Sequence, residues 1–282
     1  MDVKGIDVSH HQGKIDWKKV KNSGISFAMC KASQGSKLSD MNSEPFEDEK
    51  FGEYVKGAAE NGIFCGAYHF LTGTTLDRVK KETDFFITTI KKYPGKITYP
   101  CACDLEDSRY KKFTKSENSA LVKAFIEKVR EAGFIPMLYT NLDFSRNYLD
   151  MSMLGGVDIW FARYYKVSSP LPKPDIAGMT MFQWTDSGVV DGIPGGVDLD
   201  VCYFDYSGNY DKALEVGDSV LFKDNTTVYW PSGPKIPAFV KKNSYRIIQT
   251  ASGGKAVVKG GAKCVLLGGI NTWAAVDGLK RV

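Results

Sequence analysis

Apolar and polar positions alternate in short blocks over the first two hundred residues, and the period changes from one block to the next. Val3 to Ser9, Ile25 to Ser33, Ile63 to Phe70, Thr98 to Glu106 and Ile135 to Thr140 are short and β-rich, the pattern of buried strands. Between them the spacing becomes helical. A short basic segment carries Trp17 and Val20, and Phe51, Tyr54, Val55, Ala58 and Ala59 share one side of a second segment. Val79, Phe86, Ile87 and Ile90 mark a helix over Leu76 to Lys92; Leu121, Phe125, Ile126 and Val129 mark another over Glu117 to Ala132. Gly62 and Gly133 follow two of these patterns, where a left-handed residue would end a helix. Later the rhythm changes: Asp158 to Tyr164, Met179 to Thr185 and Val197 to Tyr203 are strand-like, but Gly- and Pro-rich connections without helical spacing join them.

This order predicts an α/β fold, an irregular (β/α) barrel of about five βα units plus three further strands. A doubly wound open sheet is the alternative. Around Tyr206 to Val216 the composition shifts to Ser, Gly, Asn and Asp. Short β-like runs follow near Ser219 to Phe222, Tyr245 to Gln249, Ala256 to Val258, Cys264 to Leu267 and Trp273 to Val276, which suits a small all-β barrel. The expected organisation is therefore a catalytic barrel over 1–207, a linker over 208–215 and a small β domain over 216–282.

With 282 residues, 43% hydrophobic and 25% charged, the composition argues against a disordered chain, a collagen-like repeat or a coiled coil. The longest apolar runs, such as Phe64 to Phe70, are short of a bilayer span, so no membrane insertion is expected. Met1 to Ser9 lacks the basic and apolar regions of a secretory signal, so export would need another route. The six cysteines, Cys30, Cys65, Cys101, Cys103, Cys202 and Cys264, mostly lie in apolar runs without zinc-finger spacing and read as buried free thiols. The net charge of +4 divides unevenly. Residues 216–282 hold ten Lys/Arg against three Asp/Glu, a balance of +7; residues 1–215 hold 27 against 30, a balance of −3. A basic tail on a slightly acidic body suits attraction to an anionic surface, although a solvated face would carry the same charge.

In a (β/α) barrel the active site is built at the C-terminal ends of the strands. Asp7 ends the first predicted strand, Asp104 and Glu106 the fourth, and Asp198 and Asp200 lie in the eighth. Alternation puts Ala102, Asp104 and Glu106 on one face and Cys101, Cys103 and Leu105 on the other. Tyr68, His69, Tyr139, Trp160, Tyr164, Gln183 and Trp184 collect near the same rim. Alternation allows only one of Tyr68 and His69 to face the cleft, and one of Gln183 and Trp184; Tyr68 and Gln183 are the candidates. Trp17 reads as core. His10 and His11 would point apart on an extended chain, which disfavours a shared metal site. Aromatic rings and carboxylates in one cleft match the flat C–H faces and hydroxyl edges of sugars. Glycoside hydrolysis needs a proton donor at the leaving oxygen and a second group at the anomeric carbon. Asp104 and Glu106 could divide those roles, because neighbouring carboxylates oppose each other's ionisation. A surface pair or a Mg²⁺ site is the plain alternative for a lone Asp-x-Glu.

Several ordered segments carry a resemblance: GIDVSHHQG from Gly5 to Gly13, IDW from Ile15, KASQG from Lys31, AYHF from Ala67, DLE from Asp104, LYT from Leu138, WFA from Trp160, QWT from Gln183 and VD from Val197. Together they resemble the glycoside hydrolase family 25 lysozymes over residues 3 to about 205. The resemblance implies a muramidase that cuts the β-1,4 bond from N-acetylmuramic acid to N-acetylglucosamine. By motif position Glu106 matches the general acid/base, Asp104 its partner, and Asp7 and Asp198 further carboxylates of the cleft. Tyr68, Tyr139, Trp160, Tyr164 and Gln183 are the expected substrate-binding residues; no metal or cofactor is expected. The family often carries Glu where Gln34 stands. The tail, with Tyr245 to Gln249, Val265 to Ile270 and Asn271 to Ala274, resembles a bacterial SH3-like module that would bind the cell wall. Trp230, Tyr229 and Trp273 would be peptide contacts or core. The expected partners are peptidoglycan and anionic wall polymers, not nucleic acid. The implied role is a phage or prophage endolysin, made in the cytoplasm and acting at the wall after release. A host autolysin, a non-catalytic wall- or chitin-binding protein on a barrel scaffold, and a metal-dependent amidase or deacetylase are the competing readings.

Overall fold

The computed structural model describes residues 2–165, 173–204, 206, 214–223 and 226–281, which fall into two compact units, Met1–Gly208 and Asn209–Val282. The first six residues of the expected linker, 208–213, lie outside the described residues.

In the first unit eight strands close into a barrel: β1 (Val3–Val8), β2 (Phe27–Gln34), β4 (Phe64–Phe70), β5 (Ile97–Asp104), β6 (Pro136–Asn141), β7 (Asp158–Ala162), β8 (Met179–Gly188) and β9 (Val197–Cys202). The two-residue β3 (Phe46–Glu47) pairs with β2 outside the ring. Neighbours from β1 through β8 run parallel, whereas β9 runs antiparallel to both β8 and β1. The β1–β2 pairing completes the ring and excludes the open sheet. Helices α1 (Trp17–Asn22), α2 (Phe51–Glu60), α3 (Leu76–Lys91), α4 (Lys115–Glu131) and α5 (Leu142–Asn147) follow β1, β2, β4, β5 and β6. This is the five βα units plus three further strands that the pattern predicts. The pattern passes over α5, a six-residue helix whose Asn141 cap accepts from the Phe144 N–H. It also carries the fourth strand to Glu106, where the structure ends it at Asp104.

Period two sorts each strand into two apolar layers. Ile6, Ala28, Cys30, Cys65, Ala67, Cys101, Cys103 and Leu138 face outward and pack against the buried stripes of the helices. Phe27, Met29, Tyr99, Ala102, Met137, Trp160, Met181 and Tyr206 fill the interior. Gly5 and Gly66 make room for that filling. A Cβ on Gly5 would sit 2.2 Å from the Phe27 ring, and one on Gly66 would sit 2.4 Å from the Met29 sulfur. Phe27 stacks on Tyr99 at 5.0 Å, and Tyr99 meets Tyr206 edge-on, so aromatics close the end where the parallel strands begin. The carboxylates are left for the other end. All six cysteines are buried free thiols.

The second unit forms a seven-stranded antiparallel sheet from β10 (Ser219–Phe222), β11 (Tyr245–Gln249), β12 (Ala251–Ser252), β13 (Lys255–Lys259), β14 (Ala262–Leu267), β15 (Thr272–Ala275) and β16 (Leu279–Arg281). Five of these fall on the predicted runs; β12 and β16 are additional. Val220, Phe222, Tyr245, Ile247, Val265, Leu267 and Ala274 give the unit its own core. Trp230 is half-buried with the Lys259 ammonium 4.4 Å from its ring centre.

Candidate active site

The mouth of the barrel holds a cavity of about 270 Å³, lined among others by Asp7, Asp104, Glu106, Asp198, Tyr68, Tyr139, Trp160, Tyr164 and Gln183. All nine residues singled out from the sequence meet there. Asp104 is the last residue of β5, and Glu106 stands two residues beyond it on the same side, with Leu105 between them turned into the outer layer. Asp198 reaches the mouth by a different logic. It lies near the start of β9, and because β9 runs antiparallel its N-terminal end points the same way as the C-terminal ends of the others. Asp7 and Asp198 are direct cross-strand partners, as are Gly5 and Asp200. Like charges placed opposite each other destabilise a strand pair, so local stability does not explain this pairing.

Hydrogen bonds hold the acids in fixed orientations. Gln183 Nε2 donates to Asp7 Oδ2 at 2.6 Å, while Gln183 Oε1 accepts from the hydroxyls of Tyr139 and Tyr164, each at 2.8 Å. Trp160 Nε1 donates to Asp200 Oδ1 at 2.7 Å, and its ring meets Tyr139 edge-on at 4.7 Å. Trp160 is only 1% exposed, so it walls the floor of the cavity, whereas Tyr164 at the rim is 48% exposed. Asp200, which is not among the residues expected from the motifs, is a buried member of this network. Asp104 Oδ1 is buried without a hydrogen-bond partner.

Enclosure raises every carboxyl of the cluster above its ordinary value. Burial is the main cause for Asp7, followed by Asp198 and Asp200; for Asp104 burial is followed by Glu106. Glu106 is raised by burial and then by Asp198, and Asp198 is pushed up to about 6 by burial and Asp186. Such a group can hold a proton near neutrality and deliver it.

The cavity also contains residues that sequence reasoning misses as site members: Ser9, His11, Gln12, Lys31 and Phe70. Lys31 is the one that changes the electrostatics. Its Nζ donates to Gln34 Oε1 at 2.9 Å and lies 5.2 Å from the centre of the Phe70 ring. A signal for it exists, because Lys31 is the sole charged residue in the β2 sequence FAMCKASQ.

The residues left outside the cleft have other tasks. Trp17 and Trp184 are buried in the outer layer. His69 is fully buried between Ser33 Oγ, 2.8 Å from Nδ1, and Glu82 Oε2, 3.2 Å from Nε2. Glu82 further accepts from Thr72 and Arg78, tying the β4–α3 connection to the helix. His10 and His11 do not point apart: a short 3₁₀ turn, capped by Ser9, brings their rings to 4.0 Å. His10 Nδ1 is 2.7 Å from Asp48 Oδ2, while His11 lines the cavity.

The model of the glycosyl hydrolases family 25 matches residues 6–193. The autolytic lysozyme of Clostridium acetobutylicum is 28% identical over 253 residues, covering 85% of this chain and 72% of that protein. Among solved structures, the CTP1L endolysin superposes with a TM-score of 0.59 at 25% identity, covering 76% of this chain and 70% of the other. A family 25 glycosyl hydrolase from Bacillus anthracis superposes with a TM-score of 0.57 at 25% identity, covering 74% and 92%.

Proposed function

The chain belongs to glycosyl hydrolase family 25, and we propose that it is an N-acetylmuramidase cutting the β-1,4 bond between N-acetylmuramic acid and N-acetylglucosamine. It is a peptidoglycan hydrolase of the lysozyme type. The observation that carries the finer reading is the convergence of Asp7, Asp104, Glu106 and Asp198 with the rings of Tyr68, Phe70, Tyr139, Trp160 and Tyr164 in one cavity of about 270 Å³. A sugar ring in that cavity meets carboxyls whose proton affinity is raised, beside aromatic rings of the kind that pack on its C–H faces.

In this reading Glu106, half-buried at the rim, donates its proton to the glycosidic oxygen as the bond to the anomeric carbon breaks. The carbonyl oxygen of the sugar's own 2-acetamido group closes on the anomeric carbon, and the Asp104 carboxylate stabilises the positive charge that develops on that ring. Glu106, now ionised, takes a proton from the water that opens the ring and returns to its starting state. Asp7 and Asp198 shape the field around the same centre. Tyr68, Tyr139, Trp160, Tyr164 and Gln183 hold the substrate and the acids in register. The +7 tail is assigned to wall attachment as an SH3-like module facing anionic polymers. We assign the whole chain to the endolysins, acting at the wall after release from the cytoplasm.

Mass analysis of digested peptidoglycan tests the bond. N-acetylmuramic acid at every new reducing end supports the reading, and N-acetylglucosamine there, or release of peptides alone, overturns it. Secretion of the full chain by growing cells without lysis would overturn the endolysin assignment.

A further inference from the structure

The catalytic reading leaves a physical problem. Burial raises both Asp104 and Glu106; the Glu106 carboxylate raises Asp104 further, while Asp198 and Asp107 raise Glu106, and Asp104 is the more deeply enclosed, at 5% exposure. Enclosure alone would settle the shared proton on Asp104 and leave Glu106 ionised, the reverse of what proton donation from Glu106 requires.

Lys31 is placed to reverse that order. It lies on the inner face of β2 and lines the cavity together with Asp7, Asp104, Glu106 and Asp198. Its ammonium lies over the ring of Phe70, and Phe70 is the register partner of Asp104 on the adjoining β5. Glu106 stands two residues beyond the end of that strand. The hydrogen-bond partner of Lys31 is a neutral amide: Gln34 Nε2 donates to the Ser36 carbonyl at 2.7 Å, which turns Oε1 toward the ammonium. The charge of Lys31 is therefore not cancelled by a carboxylate at position 34 and acts on the pair.

We infer that Lys31 is a positioning residue that places the proton shared by Asp104 and Glu106 on Glu106, by holding a positive charge beside Asp104. The inference rests on the reading of that pair as assisting carboxylate and proton donor. The groups whose charge meets Lys31 are Asp104, Asp48, Asp7 and Glu106, with Asp104 acting most strongly. The charge of Lys31 also meets His11, and Asp198 and Asp107 act on Glu106. Burial lowers the Lys31 ammonium, and the surrounding carboxylates oppose that shift and keep it charged. An anionic Asp104 beside a cation and a protonated Glu106 beside Asp198 is the arrangement in which each charge has its best neighbour.

The test is the pH dependence of kcat on a soluble peptidoglycan oligomer for Lys31→Met, Lys31→Arg and Gln34→Glu, with thermal melting followed for each. Loss of the charge in Lys31→Met should cut kcat at the wild-type optimum about tenfold and move the acid limb up by about one pH unit. The alkaline limb should move less, because Lys31 acts more weakly on Glu106. Lys31→Arg keeps the charge and should leave the acid limb in place. Gln34→Glu should move the limb up by a smaller amount, since the new carboxylate shares the ammonium. A structural role alone would lower kcat with unshifted limbs. Coincident profiles for Lys31→Met and wild type, or an equal shift in Lys31→Arg, would overturn the inference. If Lys31→Met loses its cooperative melt, Gln34→Glu decides: an unshifted acid limb there is also fatal. Glu106→Gln separates the two levels. If that variant stays active, the catalytic reading itself fails; if it is inactive while the Lys31 profiles do not shift, only this inference fails.

Discussion

The two compact units place charge in opposite ways. The barrel unit is nearly neutral overall, yet it gathers four acidic side chains at its mouth and holds a fifth, Asp200, against Trp160; Asp7, Asp104 and Asp200 are no more than 8% exposed. The second unit is strongly basic, and its Lys223, Lys235, Lys242, Arg246, Lys255 and Lys263 are exposed. An enclosed charge has its proton affinity changed and becomes chemistry; an exposed one acts as a weak, salt-screened attraction. The contrast teaches that net charge locates neither function. Enclosure does, and enclosure is a property of the fold.

The largest effect that would break this contrast is in the barrel. Glu106→Gln keeps the shape of the side chain but cannot donate the proton, so turnover on any substrate should fall by roughly 10²-fold or more. Binding of the isolated tail to walls, measured by pelleting, has no reason to change. A variant retaining more than about a tenth of wild-type turnover would remove Glu106 from its role. Asp104→Asn should also be severe, and it carries a second signature, because it removes a buried charge that the fold tolerates at a cost. The variant should melt higher than wild type at neutral pH while losing activity.

Separating the two units should give a smaller effect. A chain truncated near residue 210 should cleave a soluble oligomer about as fast as the full chain, yet lose roughly tenfold on intact cells, because attachment raises local concentration without adding a catalytic group. Equal lysis of intact cells by both forms would show that the basic unit does not target the enzyme.

The pH dependence of stability gives a smaller effect with a definite sign. The carboxyls at the mouth are raised in the folded state, Asp198 to about 6. Their folded form therefore binds protons more tightly than the unfolded chain does. The stability they contribute is complete below the unfolded carboxyl value of about 4 and is lost as pH rises through the folded values. A tenfold difference in proton affinity between the two states corresponds to about 1.4 kcal/mol, so the barrel should melt several degrees lower at roughly pH 7.5 than at pH 5. A melting temperature that rises over that interval would contradict an enclosed acid cluster. The smallest effect belongs to the tail, where added salt should weaken pelleting with walls without changing hydrolysis of the soluble oligomer.

The order of elements and the faces of the strands are written in the local residue pattern. Alternation of two separates Ala102 and Asp104 from Cys101 and Cys103 wherever the strand goes, and helical spacing marks α2, α3 and α4 without knowledge of what they cover. The candidate acids were legible for the same reason, since a carboxylate ending an apolar strand stands out locally, and the ordered motifs located the aromatics. The relations across the ring arise from closure of the barrel. Nothing in the local pattern says that β9 turns back and brings Asp198 opposite Asp7, or that Gln183 bonds to Asp7, 176 residues away in the chain. Nor does it say that Lys31 faces Asp104 rather than solvent, or that Asp200 disappears beneath Trp160. Periodicity reports which way a side chain points relative to its own strand. Its proton affinity depends on what stands opposite, and closure of the barrel alone sets that neighbour.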